Sequence, residues 1–400
     1  MGSSSGRRSW LTRNLTLLSL VSLFQDTASE LLYPILPIFL TVTLGAPVAV
    51  VGIIEGLADG AASITKVLSG RLADRKRRRP LVAAGYGVAA IAKLIIAAAT
   101  VWPTVLVARV VDRIGKGIRG APRDAMIADG TPAKFRGRAF GFHRSIDTWG
   151  AVLGPLIGLA LYQALDQNLR PLLWIAAIPA IVSVGFVFLV RELPSPVPTT
   201  AEPTTRSGDG LPRRFWNVAA ALTVFALVNF PDALLILRAK SLGLGVSAVI
   251  GVYCLYNLSY ALLSYPAGVV SDGRSRRAVV ASGLGVFAAV YFGLGVVTTS
   301  SWVWILFPCY GAYTALTEGV TKAWVVDLAP TNVRGRALGW QSGLSGGGVV
   351  IAGLWAGLAW GDDGRVPLML AGIVAGGIAL ALALIPLDRP TNLPRADEHP

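Results

Sequence analysis

Gly70-Arg71-Leu72-Ala73-Asp74-Arg75-Lys76-Arg77-Arg78-Arg79 separates two long apolar runs, and a weaker copy, Gly268 to Arg277, stands 198 residues further on. Other local patterns repeat at the same offset. Arg136-Gly137-Arg138-Ala139-x-Gly141 returns as Arg334-Gly335-Arg336-Ala337-x-Gly339, and Asp129 and Pro132 return as Asp327 and Pro330. Unrelated patterns sharing one offset identify a tandem duplication, with both copies in the same orientation.

Working outward from that repeat, the chain is 400 residues long, 54% hydrophobic and only 14% charged. A soluble domain carries about 25% charged residues, so the polar surface such a fold needs is missing. Apolar runs near the roughly 20 residues that cross a bilayer recur throughout. The net charge is +14, but its distribution excludes nucleic acid as a partner. Arg7, Arg8 and Arg13, then Asp74 to Arg79, Lys134 to Arg138, Arg206 to Arg214, Arg274 to Arg277 and Arg334 to Arg336 fall in every second connection. The alternate connections, near Gly45, Pro103, Gly245 and Ser300, are nearly free of Lys and Arg. That alternation is the positive-inside signature; it predicts a multi-pass protein of the inner membrane with both termini cytoplasmic. Cys254 and Cys309 both lie in apolar runs, so neither a disulfide framework nor a zinc site is expected. Met1 to Trp10 lacks the pattern of a signal peptide.

Cutting the apolar runs at Gly, Pro and charge predicts helices near 15–42, 47–72, 80–99, 102–127, 138–164 and 171–190. A second set is expected near 215–240, 246–271, 277–298, 302–327, 336–360 and 366–386. The Pro-, Ser- and Thr-rich stretch between the sets reads as a linker. The domain reading is a bundle at 1–192, a cytoplasmic linker at 193–212, a second bundle at 213–388 and a tail at 389–400.

The stretch Gly70 to Arg79 resembles motif A of the major facilitator superfamily, with Arg77 where a second Gly is usual. Arg109 is similar to the motif B arginine, although Arg113 stands where Gly is common. Gly141, Gly150, Gly154, Pro155 and Gly158 resemble the antiporter motif C, with Leu159 in place of its last Gly. Asp26-x-x-Ser29-Glu30-x-x-Tyr33-Pro34 and Arg123-Asp124-Ala125 further resemble a subgroup that includes bacterial and archaeal nickel-resistance permeases. The resemblance spans essentially the whole chain. It implies an all-α membrane protein of twelve transmembrane helices in two pseudo-symmetric six-helix bundles. It also implies a transporter, with motif A residues Gly70, Asp74 and Arg75 gating the cytoplasmic side near the start of helix 11.

Each charge in hydrocarbon costs roughly 2.5–3.5 kcal/mol, yet the first half carries many. Helix 1 has Asp26 and Glu30; helix 2 has Glu55, Asp59 and Lys66, which fall within about 40° of one another on one face. Lys93 lies in helix 3, Arg109, Asp112, Arg113 and Lys116 in helix 4, and Arg144 and Asp147 in helix 5. The duplication supplies a control. At the common offset Glu55 becomes Tyr253, Asp59 Asn257, Lys66 Ser264, Lys93 Tyr291, Arg109 Phe307, Asp112 Tyr310, Arg113 Gly311, Arg144 Ser342 and Asp147 Ser345. A bundle of this kind therefore folds without these charges, which favours a functional role for them. The expected role is proton-coupled exchange, with Arg109 and Asp147 as the first switching pair and Glu55 and Asp59 next. In motif C the small residues read as close helix packing and Pro155 as a bend.

In the second half Asn229, Asp232, Arg238, Asn257, Tyr256, Glu318 and Lys322, with Arg113 and Lys116 of the first, are candidates to line a substrate cavity. Glu318 and Lys322 are spaced to pair along one helix face, and Tyr253, Tyr256, Asn257 and Tyr260 to form an amphipathic wall. Gly115-x-Gly117-x-x-Gly120 spells a dinucleotide fingerprint but no strand precedes it. His143 reads as a satisfied core histidine. The expected activity is proton-coupled efflux of a small amphipathic compound, its site lying between the halves against helices 1, 4, 7 and 10. Divalent-metal export is the alternative, and carboxylates without His or Cys tracts speak against nickel. A receptor or scaffold, or a lipid-modifying enzyme, are readings of other classes; the sequence shows no catalytic constellation. No cofactor or resident metal is expected, and a monomer is.

Overall fold

The computed structural model describes residues 10–33, 35–36, 39–192 and 210–385. The linker from 193 to 209, the tail from 386, Pro34 and the side chain of Glu55 lie outside the described residues.

In chain order the helices are α1 (Arg13–Leu32), α2 (Val48–Arg75), α3 (Arg78–Ala98), α4 (Trp102–Asp129), α5 (Arg136–Ala164) and α6 (Leu169–Leu189). The second half holds α7 (Arg213–Ala226), α8 (Asp232–Ser241), α9 (Val246–Gly273), α10 (Arg276–Val296), α11 (Val303–Leu328), α12 (Arg334–Leu358) and α13 (Arg365–Leu384). Two expectations are corrected here. The helix predicted at 15–42 stops at Leu32, and a π-helical turn, Phe39–Thr43, follows. The helix predicted at 215–240 breaks between Ala226 and Asp232. Pro231 is the cause: it lacks an N–H, disfavours helical geometry in the residue before it, and starts α8 as its N-cap. The break costs little because its carbonyls find donors. The Trp355 indole donates to Leu227 O at 2.7 Å and the Tyr291 hydroxyl to Phe230 O at 3.3 Å. In a bilayer such freed groups need a partner inside the protein.

α1–α6 and α7–α13 form two bundles that meet along two crossed pairs, α2 with α12 and α5 with α9. Glycines set the approach. A Cβ on Gly70 would lie 2.5 Å from Gly335 O and 2.8 Å from Gly339 Cα, and one on Gly343 would strike Val67. Gly137 and Gly141 of α5 face Gly268 of α9 in the same way, as the 198-residue repeat requires. The outside is apolar: Ile64, Leu354 and Leu358 are 67%, 63% and 90% exposed. Apolar exposure of that kind fits lipid and not water. Five described helices are individually long and apolar enough to cross a membrane.

Candidate functional site

The four basic ends of the crossed pairs form a latch. Asp74, at the end of α2, accepts the backbone N–H groups of Gly335 and Arg336, both at 2.8 Å. Asp272, at the end of α9, accepts those of Gly137 (2.7 Å) and Arg138 (3.0 Å). In each case a carboxylate of one half satisfies the orphan donors, and the positive dipole end, of a helix in the other. Asp327 binds Arg136 at 2.7 Å and Arg276 at 2.9 Å, and its counterpart Asp129 binds Arg334 and Arg78. The latch therefore obeys the internal two-fold, and the halves are held together at this end. Arg75 is exposed beside it.

Beyond the latch a cavity of about 540 Å³ lies between the bundles. The candidates Asp26, Glu30, Asp59, Lys66, Arg113, Lys116, Arg144, Asp147, Asn229, Tyr256, Asn257, Glu318 and Lys322 all line it. Three of the acids are bound to cations: Asp59 to Arg113 (3.5 Å), Asp147 to Arg144 (2.7 Å), and Asp124 to both Lys322 (2.8 Å) and Arg123 (3.0 Å). Asp124 and Lys322 occupy equivalent positions of the two repeats, so their pair sits where the halves face each other across the pseudo-axis. Asp26 and Glu30 are different. Among the described residues neither has a hydrogen bond or an ion pair, and the same holds for Lys66 and Lys116.

α5 presents those two carboxylates. A Cβ on Gly150 would lie 3.0 Å from Asp26 Cβ, and one on Gly154 would lie 2.8 Å from Glu30 Cβ. Gly158 continues the contact onto Leu31, and Pro155 lies within α5. The motif C glycines are thus the groove in which the charged face of α1 rests.

Several expectations need correction. The first-choice switching pair, Arg109 with Asp147, is not formed: Asp147 binds Arg144 one turn away, while Arg109 sits 3.7 Å from Asp112. Asp112 also binds Lys93 at 2.8 Å, and all three side chains are at most 5% exposed. This triad lies between α3 and α4, away from the cavity lining. Arg238 does not face the cavity either. Fully buried, it donates to Leu294 O and Val297 O, both at 2.9 Å, and to Asp363 at 3.1 Å, tying the end of α10 to the connection before α13. Asp232 is held by the Tyr310 hydroxyl at 2.8 Å, behind the wall. Glu318 and Lys322 do not pair along α11. Each reaches across to the other half, Glu318 4.0 Å from Arg144 and Lys322 to Asp124. His143 is only half satisfied: Nδ1 meets Ser19 Oγ at 3.2 Å, whereas Nε2 is buried without a partner among the described residues.

Arg119, Arg123 and Asp124 are cavity residues that the charge analysis missed. The signal was present, because 109, 112/113, 116, 119/120 and 123 continue one three- and four-residue stripe on α4. Arg119 lies 4.4 Å over the Tyr86 ring and its Nη1 is buried without a hydrogen-bond partner among the described residues.

The Lys93–Asp112–Arg109 triad permits a stability test. Asp112→Leu removes the carboxylate that binds the buried Lys93 and is expected to cost about 3–5 kcal/mol in unfolding in detergent. Adding Lys93→Met should recover a large part of that loss, because it removes the ammonium ion that Asp112 had balanced.

The family model described as Major Facilitator Superfamily matches residues 18–255 and 215–400. An uncharacterized MFS-type transporter of Methanocaldococcus jannaschii is 32% identical over 373 residues, covering 91% of this chain and 93% of its own length. The multidrug resistance protein MdtH of Edwardsiella ictaluri is 25% identical over 92% of each chain. The crystal structure of the human organic anion transporter MFSD10 superposes with a TM-score of 0.77 at 18% identity, over 92% of this chain and 99% of that one.

Proposed function

This chain belongs to the major facilitator superfamily and is a multi-pass secondary transporter, and from that premise we propose that it exports a small amphipathic compound in exchange for protons. The observation that carries this reading is the pair Asp26 and Glu30, one turn apart on α1, facing the cavity with no cation among the described residues in salt-bridge contact with either. A carboxylate held away from water without a partner bears the cost of its charge, and binding a proton or a substrate cation removes it. The two ligands then compete for one place, which is the requirement of exchange. The motif C resemblance and the similarity to MdtH support the outward direction. The positive-inside pattern supports a latch at the cytoplasmic face of an inner membrane, with both termini on that side. The described state is then closed to the cytoplasm, and alternating access requires the latch to open. The protein works as a monomer in the bilayer, with protons and substrate as its partners.

The test is proton movement in proteoliposomes with a pH-sensitive dye inside. Lipophilic cations and amphoteric aromatic drugs are each added against a set pH gradient, with nickel and cobalt alongside. The expected result is substrate-dependent proton flux with at least one organic compound. Flux with the metal ions alone would favour the metal-export reading and overturn this one.

A further inference from the structure

Two ion pairs of the cavity cross from one half to the other, both from α11. Lys322 binds Asp124 of α4 at 2.8 Å, and Glu318, one turn earlier, stands 4.0 Å from Arg144 of α5. Asp124 and Lys322 precede the latch residues Asp129 and Asp327 by five residues each, about 7.5 Å along a helix. Opening the latch end therefore pulls this layer apart as well. Each member of the central pair has a second counter-charge in its own half. Asp124 holds Arg123 at 3.0 Å. Lys322 has Glu318 four residues before it on a continuous helix, the spacing at which two side chains meet. Arg144 likewise keeps Asp147 at 2.7 Å within α5. The scaffold does not dictate these counter-charges, since at the 198-residue offset Arg123 corresponds to Thr321 and Glu318 to Gly120. They follow the sign of the charge in each half. Glu318 is also the loosest of the set: its side chain is 45% exposed and its cross-bundle contact is at the limit of an ion pair. Lys66, which also acts on Glu318, lies on α2 and belongs to the first half.

We propose that Glu318 is a positioning residue of the transport cycle: when the halves part at the latch end it takes Lys322 from Asp124, and the two pair along α11. This rests on the reading above that the latch opens, and on neither the proton nor the identity of the substrate. In the described state Lys322 bridges the halves to Asp124. After the exchange Asp124 keeps Arg123, Asp147 keeps Arg144 and Lys322 has Glu318. No charge of this layer is then stranded in a poorly solvated place, which is the cost that breaking a buried pair otherwise carries. The exchange also accounts for a helical-pair spacing whose two side chains face the other half in the described state. Without Glu318, Lys322 has no other carboxylate within one turn on α11, and it stays on Asp124.

The experiment measures how fast a cavity cysteine is alkylated from the latch side. Ala151 of α5 lines the cavity, and Ala151→Cys is made in the full chain with Cys254 and Cys309 replaced. A membrane-impermeant maleimide is added to vesicles from either face, with no substrate and no proton gradient. Glu318→Gln is expected to slow alkylation from the latch side about threefold, more than the roughly twofold worth of an exposed helical pair because this pair is partly desolvated. A residue that merely braced the closed halves would speed it instead. With Lys322→Gln already present, adding Glu318→Gln should leave the rate unchanged, since no ammonium ion remains to be handed over. Alkylation from the opposite face should persist in every variant, which guards against a folding defect. A rate that rises or stays the same in Glu318→Gln, or that falls equally with and without Lys322, overturns the proposal. Slower alkylation in a protein that moves no protons leaves this inference standing and defeats the exchange reading; proton flux with an unslowed rate does the reverse.

Discussion

A transporter carrying Asp26→Asn and Glu30→Gln is expected to accumulate no substrate against its gradient when a pH difference is imposed across a vesicle membrane. The unsubstituted protein should accumulate substrate by about tenfold for each proton exchanged per unit of pH difference, since one unit is worth 1.36 kcal/mol. The loss is large because these two groups differ in kind from the other acids of the cavity. Asp124 has Lys322 at 2.8 Å and Asp147 has Arg144 at 2.7 Å. A proton arriving at either must displace a guanidinium or ammonium ion and strand a cation in a poorly solvated place. No such displacement is needed at Asp26 or Glu30. Comparison with Asp147→Asn is the decisive control. If that single change uncouples transport while the double α1 variant accumulates normally, the proton site lies on α5 and the assignment made here is wrong.

Gly70→Val is expected to hold the basic end open and to reduce transport about fivefold to 150-fold. At this position a Cβ would press on backbone atoms, Gly335 O and Gly339 Cα, which cannot rotate aside. Overpacking of this sort costs about 1–3 kcal/mol, and the cost falls only on the state in which α2 and α12 touch. The equilibrium therefore shifts toward the other state by that fold-change. Spin labels at Arg75 and Asn332, in a background with Cys254 and Cys309 replaced, should report a longer distance than in the parent. Gly87→Val is the matched control, because nothing lies within 4 Å of an added Cβ there. A label distance equal to the parent's would show that the two helices part elsewhere.

The legibility of this protein in its sequence differs between its scaffold and its site. The 198-residue offset identified both halves, and the same offset pairs Asp74 with Asp272 and Gly70 with Gly268, which the structure brings to the latch. Repeats are legible because packing needs the same residue types wherever two copies meet. Partner choice among charges was not legible. Glu318 and Lys322 have the spacing of a helical pair, but opposite charges from the facing bundle lie within reach and take them instead. Arg238 reads as a cavity charge because it is one of the few charged residues in the apolar runs of the second half, yet its guanidinium is spent on the carbonyls at the end of α10. The charged stripe of α4 was read only as far as Lys116, because the glycines that follow it interrupt the pattern without ending the helix.

By itself the amino-acid order determined the membrane class, the duplication and most of the charges kept inside. Each of these is a property of spacing and composition along a helix, where neighbours are set by covalent geometry. Which of those charges cancel one another, and which are left for a proton or a solute, was decided only when the two bundles came together. That outcome depends on distances of 3–4 Å between helices remote in the chain, and a distance of that kind has no trace in the order of the residues.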